Sequence, residues 1–203
     1  MLLRRAQNKD ANVAGQLILS SAVNTLPHMF DVCEEHHSLG FIQYAFTLAD
    51  GQYGYANHWV IEVEGQVVAI VSAWHTELAN NFHQATLQSI ASYYGFIDSL
   101  DVIQRSQLLK SIIPPPKKDE WCVGHCAVSP LHQRRGLGKK LLAHMQALAA
   151  SKGKKKITLD VELSNKDAIN FYLDSGFIFA QEPSCRQTIV GGLAAHGHMF
   201  LPI

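Results

Sequence analysis

Val128-Ser129-Pro130-Leu131-His132-Gln133-Arg134-Arg135-Gly136-Leu137-Gly138-Lys139 is the stretch on which the fold turns. A strand-like run, Trp121 to Val128, enters it, and Gly138 to Ala150 leaves it as an amphipathic helix with apolar residues at helical spacing. Gly136 and Gly138 let the backbone come close to a ligand, and the first amides of the following helix have no partner within the helix. With the positive end of the helix dipole beside Arg134, Arg135 and Lys139, the segment reads as an anion site suited to a pyrophosphate. It has neither the GxxxxGK[ST] of a nucleotide-hydrolysing loop nor the GxGxxG of a dinucleotide site.

Working outward, Leu2 to Ala6 reads as a strand and Asp10 to Ser21 as a helix with Val13, Leu17 and Ile18 on one face. A second helical region is expected from about Asp31 to Ala49, so that Glu34, Glu35, His36 and His37 would decorate a solvated helix face. His58–Val63 and Gln66–Trp74 are β-branched and aromatic, and Glu64-Gly65 between them suits a tight hairpin. Thr76 to Ile113 has helical spacing and reads as a two-helix insertion closed by Pro114, Pro115 and Pro116. Ile157 to Val161 is a short buried strand. Asp167 to Ser175 is a helix with Ser164 and Asp167 in a capping-box pattern and Gly176 at its end. Phe177–Ala180 and His198–Leu201 read as the last strands.

Two features of this sequence resemble the GNAT superfamily of acetyl-CoA-dependent N-acetyltransferases. Gln133-Arg134-Arg135-Gly136-Leu137-Gly138 matches the family's Gln/Arg-x-x-Gly-x-Gly/Ala loop. About thirty residues on, Asn165-Lys166-Asp167-Ala168-Ile169-Asn170-Phe171-Tyr172-Leu173-Asp174-Ser175-Gly176-Phe177 matches its Asn-x-x-Ala-x-x-x-Tyr-x-x-x-Gly-Phe segment. The resemblance implies one α/β domain over residues 1–203, with a mixed, mostly antiparallel sheet splayed between its fourth and fifth strands, flanking helices, and the insertion at about 76–113. It also implies that acetyl-CoA is the cosubstrate and that the acetyl group passes to an amine by direct attack in a ternary complex. Cys126 and Val128 would pair through their backbones with the pantetheine arm, and Gln133, Arg134, Arg135, Gly136, Leu137, Gly138 and Lys139 would hold the pyrophosphate. Asn165 and Ala168 would sit near the thiol end, and Tyr172 would protonate the departing thiolate.

The general base has two candidates. Glu120 shares strand parity with Cys122 and Cys126, the parity on which some members of the family carry a base, and Glu62 lies on the hairpin; His125, of opposite parity, is expected to be packed or solvated. The insertion and the Gln181–Gly197 segment depart from the family pattern where acceptor pockets are built. A non-catalytic acyl-CoA-binding module is the competing reading.

Charge adds a second line. The chain has 203 residues, 17 Lys+Arg and 17 Asp+Glu, but Asp10 to Gln104 holds ten acids and no Lys or Arg, while Ser129 to Leu159 holds eight bases and no acid. The basic window suits the phosphates of CoA, and the acidic half suggests a cationic acceptor. The Lys152–Lys156 run lacks interleaved aromatics, which disfavours nucleic acid as a partner. The cysteines Cys33, Cys122, Cys126 and Cys185 form no CxxC, and no HExxH occurs, so no metal is expected. No long apolar stretch or signal-peptide core appears, so the expectation is a cytoplasmic monomer or homodimer without a membrane partner.

Overall fold

The computed structural model describes residues 1–34, 36–78, 81–181 and 192–203. Glu35, Cys185 and most of the 181–197 segment therefore lie outside the described residues. Strand β1 (Leu2–Arg5) leads through a 3₁₀ turn at Asn8–Asp10 into α1 (Ala11–Ser21). The turn is held by Asp10, which accepts from the Gln7 backbone N–H at 2.8 Å and from both terminal nitrogens of Arg4 at 2.8 and 3.0 Å.

The helix expected over 31–49 is shorter and divided. Helix α2 (Thr25–Phe30) stops at Asp31, and α3 (Ser38–Thr47) begins only after an extended His37. The Asp31 carboxylate accepts from the Ser38 N–H, and Arg105 donates to the carbonyls of His28 and Asp31, so side chains take the place of helical bonds across the gap. Residues 31–34 and 36–37 are loop, which removes the predicted helix face carrying Glu34, His36 and His37.

Strands β2 (His58–Val63) and β3 (Gln66–Trp74) form the expected hairpin. Both turn residues have positive φ, 52° at Glu64 and 80° at Gly65, the geometry that matches the twist of the flanking strands. Helix α4 (Phe82–Ile112) supplies the insertion, and its backbone breaks at Gly95 (φ 73°, ψ −178°), so the two-helix reading holds. It ends just before the three prolines.

Strand β4 (Glu120–Val128), α5 (Leu137–Ser151), β5 (Lys156–Glu162), α6 (Lys166–Leu173), β6 (Ile178–Phe179) and β7 (His196–Pro202) complete the chain. The seven strands lie in the order β1-β2-β3-β4-β5-β7-β6, all antiparallel neighbours except the parallel pair β4–β5. Alternation along the hairpin separates two cores. Val60 and Ile70 face α1 to α4 together with Phe30, Phe41 and Phe46, while Ile61, Ala69 and Val71 face α5 and α6 together with Leu141, Met145 and Phe177. Among the described residues, no helix is long and apolar enough to cross a membrane.

Candidate active site

The parallel pair β4–β5 holds register only at Glu120↔Lys156, Trp121↔Ile157 and Cys122↔Thr158. Beyond Cys122 the two strands part. The opening is a cavity of about 890 Å³, walled by residues 123–128 of β4, 159–162 of β5, the 133–139 loop and the inner side of α6.

One end of the cavity is cationic and rich in free amides. Gly136 is the N-cap of α5 in the left-handed region (φ 77°), no side chain caps this helix, and a Cβ on Gly136 would meet nothing within 4 Å. The first turn therefore presents its unpaired N–H groups to open space. Arg134 also has positive φ (58°), which shapes the loop. Gln133 ties the loop to β4 by donating from Nε2 to the Val128 carbonyl at 3.2 Å. A Cβ on Gly138 would lie 2.9 Å from the Phe171 ring, so this glycine lets α6 close against the loop. Gln133, Arg134, Gly136, Leu137, Gly138 and Lys139 line the cavity, and Arg135 does not.

The middle carries Cys126, Val128, Asn165, Ala168 and Tyr172, all on the wall. Asn165 is the N-cap of α6, its Oδ1 accepting from the Ala168 N–H at 3.0 Å; this replaces the predicted Ser164 capping box and leaves the Asn165 amide as the free donor. Burial pushes the Tyr172 phenol well above its ordinary range, with Cys126 and Cys122 raising it further. The Cys126 thiol is itself pushed up to about 12 by burial, so it stays a neutral thiol.

The base candidates fall elsewhere. Glu120 sits at the closed end of the β4–β5 pair, where one carboxylate oxygen accepts from the Lys117 N–H at 2.7 Å and the other meets Lys156 Nζ at 3.1 Å. Glu62 lies on β2, two strands from β4, and is bound to Arg4. Neither lines the cavity.

His125, expected to be packed or solvated, lies on the wall because β4 is bulged. Pairing jumps from Ile70↔Ala127 to Ser72↔Gly124, and His125 takes φ 44°. The ring sits against Tyr53 and Trp74, with Nδ1 3.3 Å from Ser21 Oγ, and burial lowers its pKa to about 3. Gly124 makes room for this arrangement, since a Cβ there would lie 1.6 Å from the Trp74 ring.

Acids also line the cavity. Its carboxylates among the described residues are Asp160, Glu162, Asp167 and Asp174. None comes from the acid-rich first half, where Asp10 and Glu62 bind Arg4, Asp31 caps α3 and Glu77 pairs with Lys154. The carboxylates that line the cavity thus come from the second half of the chain. Glu162 is buried and accepts from Asn24 Nδ2 (2.8 Å), the Thr25 N–H (3.1 Å) and Thr25 Oγ1 (2.7 Å), tying the start of α2 to β5. Asp160 accepts from His198 Nδ1 at 2.9 Å through one oxygen, and its other oxygen has no partner. That hydrogen bond raises the His198 pKa. A sequence signal for this wall existed: Thr158, Asp160 and Glu162 are polar at every second position of a buried strand.

The model of the acetyltransferase (GNAT) family matches residues 24–177. An N-acetyltransferase from Staphylococcus aureus Mu50 shares the fold at TM-score 0.67 and 18% identity, over 99% of this chain and 100% of that one. A ribosomal-protein-alanine N-acetyltransferase from Brucella melitensis does so at TM-score 0.57 and 16% identity over 100% of both chains. A Mycobacterium tuberculosis protein crystallised in complex with CoA does so at TM-score 0.53 and 12% identity, over 100% of this chain and 99% of that one. No curated protein sequence matches.

Proposed function

The chain belongs to the acetyltransferase (GNAT) family, and on that premise we propose that it is an N-acetyltransferase, moving an acetyl group from acetyl-CoA to an amine that attacks directly in a ternary complex. The observation that carries this reading is the one cavity between the parted strands that is lined both by an uncapped, cationic helix start and by Tyr172. The residues present fit CoA. The open space over Gly136 is where a phosphate group would meet the amides of Leu137 to Lys139, and Arg134 and Lys139 stand beside it. The cosubstrate supplies an activated thioester; the chain supplies position, proton transfer and exclusion of water.

Tyr172 is the proton donor to the departing thiolate of CoA. Its raised pKa keeps the phenol protonated across neutral pH, which an acid requires. The neutral thiol of Cys126 argues for direct attack, because a thiolate would be needed to carry the acetyl group on the protein. The carboxylates Asp160, Glu162, Asp167 and Asp174 among the lining residues support a cationic acceptor.

A thiol-release assay with acetyl-CoA against neutral, anionic and cationic amines tests the proposal. Acceptor-dependent release of CoA is expected, fastest with polycationic amines. CoA binding without release for any amine would make the chain an acyl-CoA-binding module instead.

A further inference from the structure

Away from the cavity, the loop between α2 and α3 and the second half of α4 bring three metal-ligating groups together. Cys33 Sγ lies 3.4 Å from His36 Nδ1 and 3.5 Å from Asp98 Oδ2, and His36 Nδ1 lies 3.4 Å from Asp98 Oδ2. The three atoms form a nearly equilateral triangle. We propose that this triangle binds a divalent transition-metal ion, Zn²⁺ by preference, with Cys33, His36 and Asp98 as protein ligands and a fourth position open to water.

The edge lengths are the first argument. Bonds of about 2.3 Å to sulfur and about 2.0–2.2 Å to nitrogen and oxygen at tetrahedral angles place ligand atoms roughly 3.3–3.6 Å apart. All three observed separations fall in that range. A direct N–H···O hydrogen bond, in contrast, would draw His36 and Asp98 to about 2.7–3.2 Å. The His36–Asp98 edge is too wide for a good hydrogen bond, the two sulfur edges are also within reach of weak thiol hydrogen bonds, and all three have the right size for a shared ion.

Convergence is the second. In a Cys-His-Asp nucleophile system the thiol and the carboxylate face opposite ring nitrogens, so that the imidazole relays a proton between them. Here both face Nδ1. That excludes the relay and leaves the geometry of ligands around one point. Tyr93 and Tyr94 contact the His36 ring at centroid distances of 5.3 and 5.4 Å and fix the direction of Nδ1.

The donor set decides the metal class. One sulfur, one imidazole nitrogen and one carboxylate oxygen suit Zn²⁺ and its spectroscopic substitute Co²⁺, whereas Ca²⁺ and Mg²⁺ require shells made almost wholly of oxygen. Cys33 is solvent-exposed, which gives an ion a route in. A bound ion would staple Cys33 and His36 to α4 three residues past its break at Gly95, beside the existing ties from Arg105 to His28 and Asp31 and from Tyr94 Oη to the Phe30 carbonyl.

The test is metal titration of the full chain, free of any tag and stripped with chelator. One equivalent of Co²⁺ should give thiolate-to-metal charge-transfer absorption and tetrahedral ligand-field bands, and Zn²⁺ should displace it. Outer-shell substitutions already cost 10–100-fold in metal affinity, so Cys33→Ser and Asp98→Asn should each weaken Zn²⁺ by at least about 100-fold. Cys33→Ser should also abolish the charge-transfer band, with circular dichroism and CoA binding unchanged as evidence of folding. No stoichiometric uptake, or a band that survives Cys33→Ser, overturns the proposal. The readout is independent of acetyl transfer.

Discussion

Tyr172→Phe separates chemistry from binding and from stability. The substitution removes one oxygen and keeps the ring, which packs against Phe171 at 5.2 Å and Phe177 at 5.6 Å. The influences on this phenol are burial and the two thiols, with no hydrogen bond among them, so its loss should cost the fold less than about 1 kcal/mol. CoA affinity should be unchanged, because the loop amides and Arg134 lie at the other end of the cavity. Turnover should fall. General acid catalysis contributes 10²–10⁴-fold, or about 2.7–5.5 kcal/mol of barrier, and none of it remains without the hydroxyl. The assay is steady-state kcat with acetyl-CoA and the best amine, beside calorimetric CoA binding and thermal denaturation. A variant that binds CoA normally, melts normally and keeps full kcat would refute the assignment of Tyr172 as the proton donor.

Three further outcomes follow from the same geometry. Gly124→Ala should displace the Trp74 ring, which a Cβ would meet at 1.6 Å, lowering stability by roughly 1–3 kcal/mol in urea denaturation. Glu162→Gln turns one of the acceptor positions facing Asn24 and Thr25 into a donor; loss of charged hydrogen bonds should cost about 1.5–3 kcal/mol and raise the amine KM, with CoA affinity unchanged. His58 is fully buried, and burial lowers its pKa from 6.5 to about 4. The unfolded chain therefore binds a proton that the folded one refuses, so stability should fall as pH drops from about 6.5 to about 4 and level off below. His58→Asn should flatten that limb of a urea midpoint against pH curve.

Much of the fold was legible because the deciding signals are local. The 64–65 turn needs two positive φ values, the α5 entry needs Gly136, and α6 repeats its apolar face at helical spacing; each is written in neighbouring residues. The glycine-marked loop that lines the cavity was read in the same way. What escaped depends on packing between distant segments. The β4 bulge at His125 is set by Trp74 and Gly124 on adjacent strands, and it changes which side chains reach the cavity, so strand parity counted from Glu120 fails. The break between α2 and α3 is held by Asp31 and Arg105, 74 residues apart. In the acidic half of the chain Asp10, Asp31, Glu62 and Glu77 are engaged in ion pairs and caps, while the cavity draws its carboxylates from 160–174. Net charge by window counts residues without knowing their partners.

The central claim is that the cavity between the parted ends of β4 and β5 is an acetyl-CoA site anchored at the start of α5. Calorimetric titration of CoA into the wild-type chain and into an Arg134→Ala, Lys139→Ala double variant tests it most directly. The account predicts one CoA per chain, weakened about 10–100-fold in the double variant, in keeping with the strength of charge-assisted hydrogen bonds, and weakened in both proteins by added salt. Absence of binding to the wild-type chain, or equal affinity in the double variant, would contradict it.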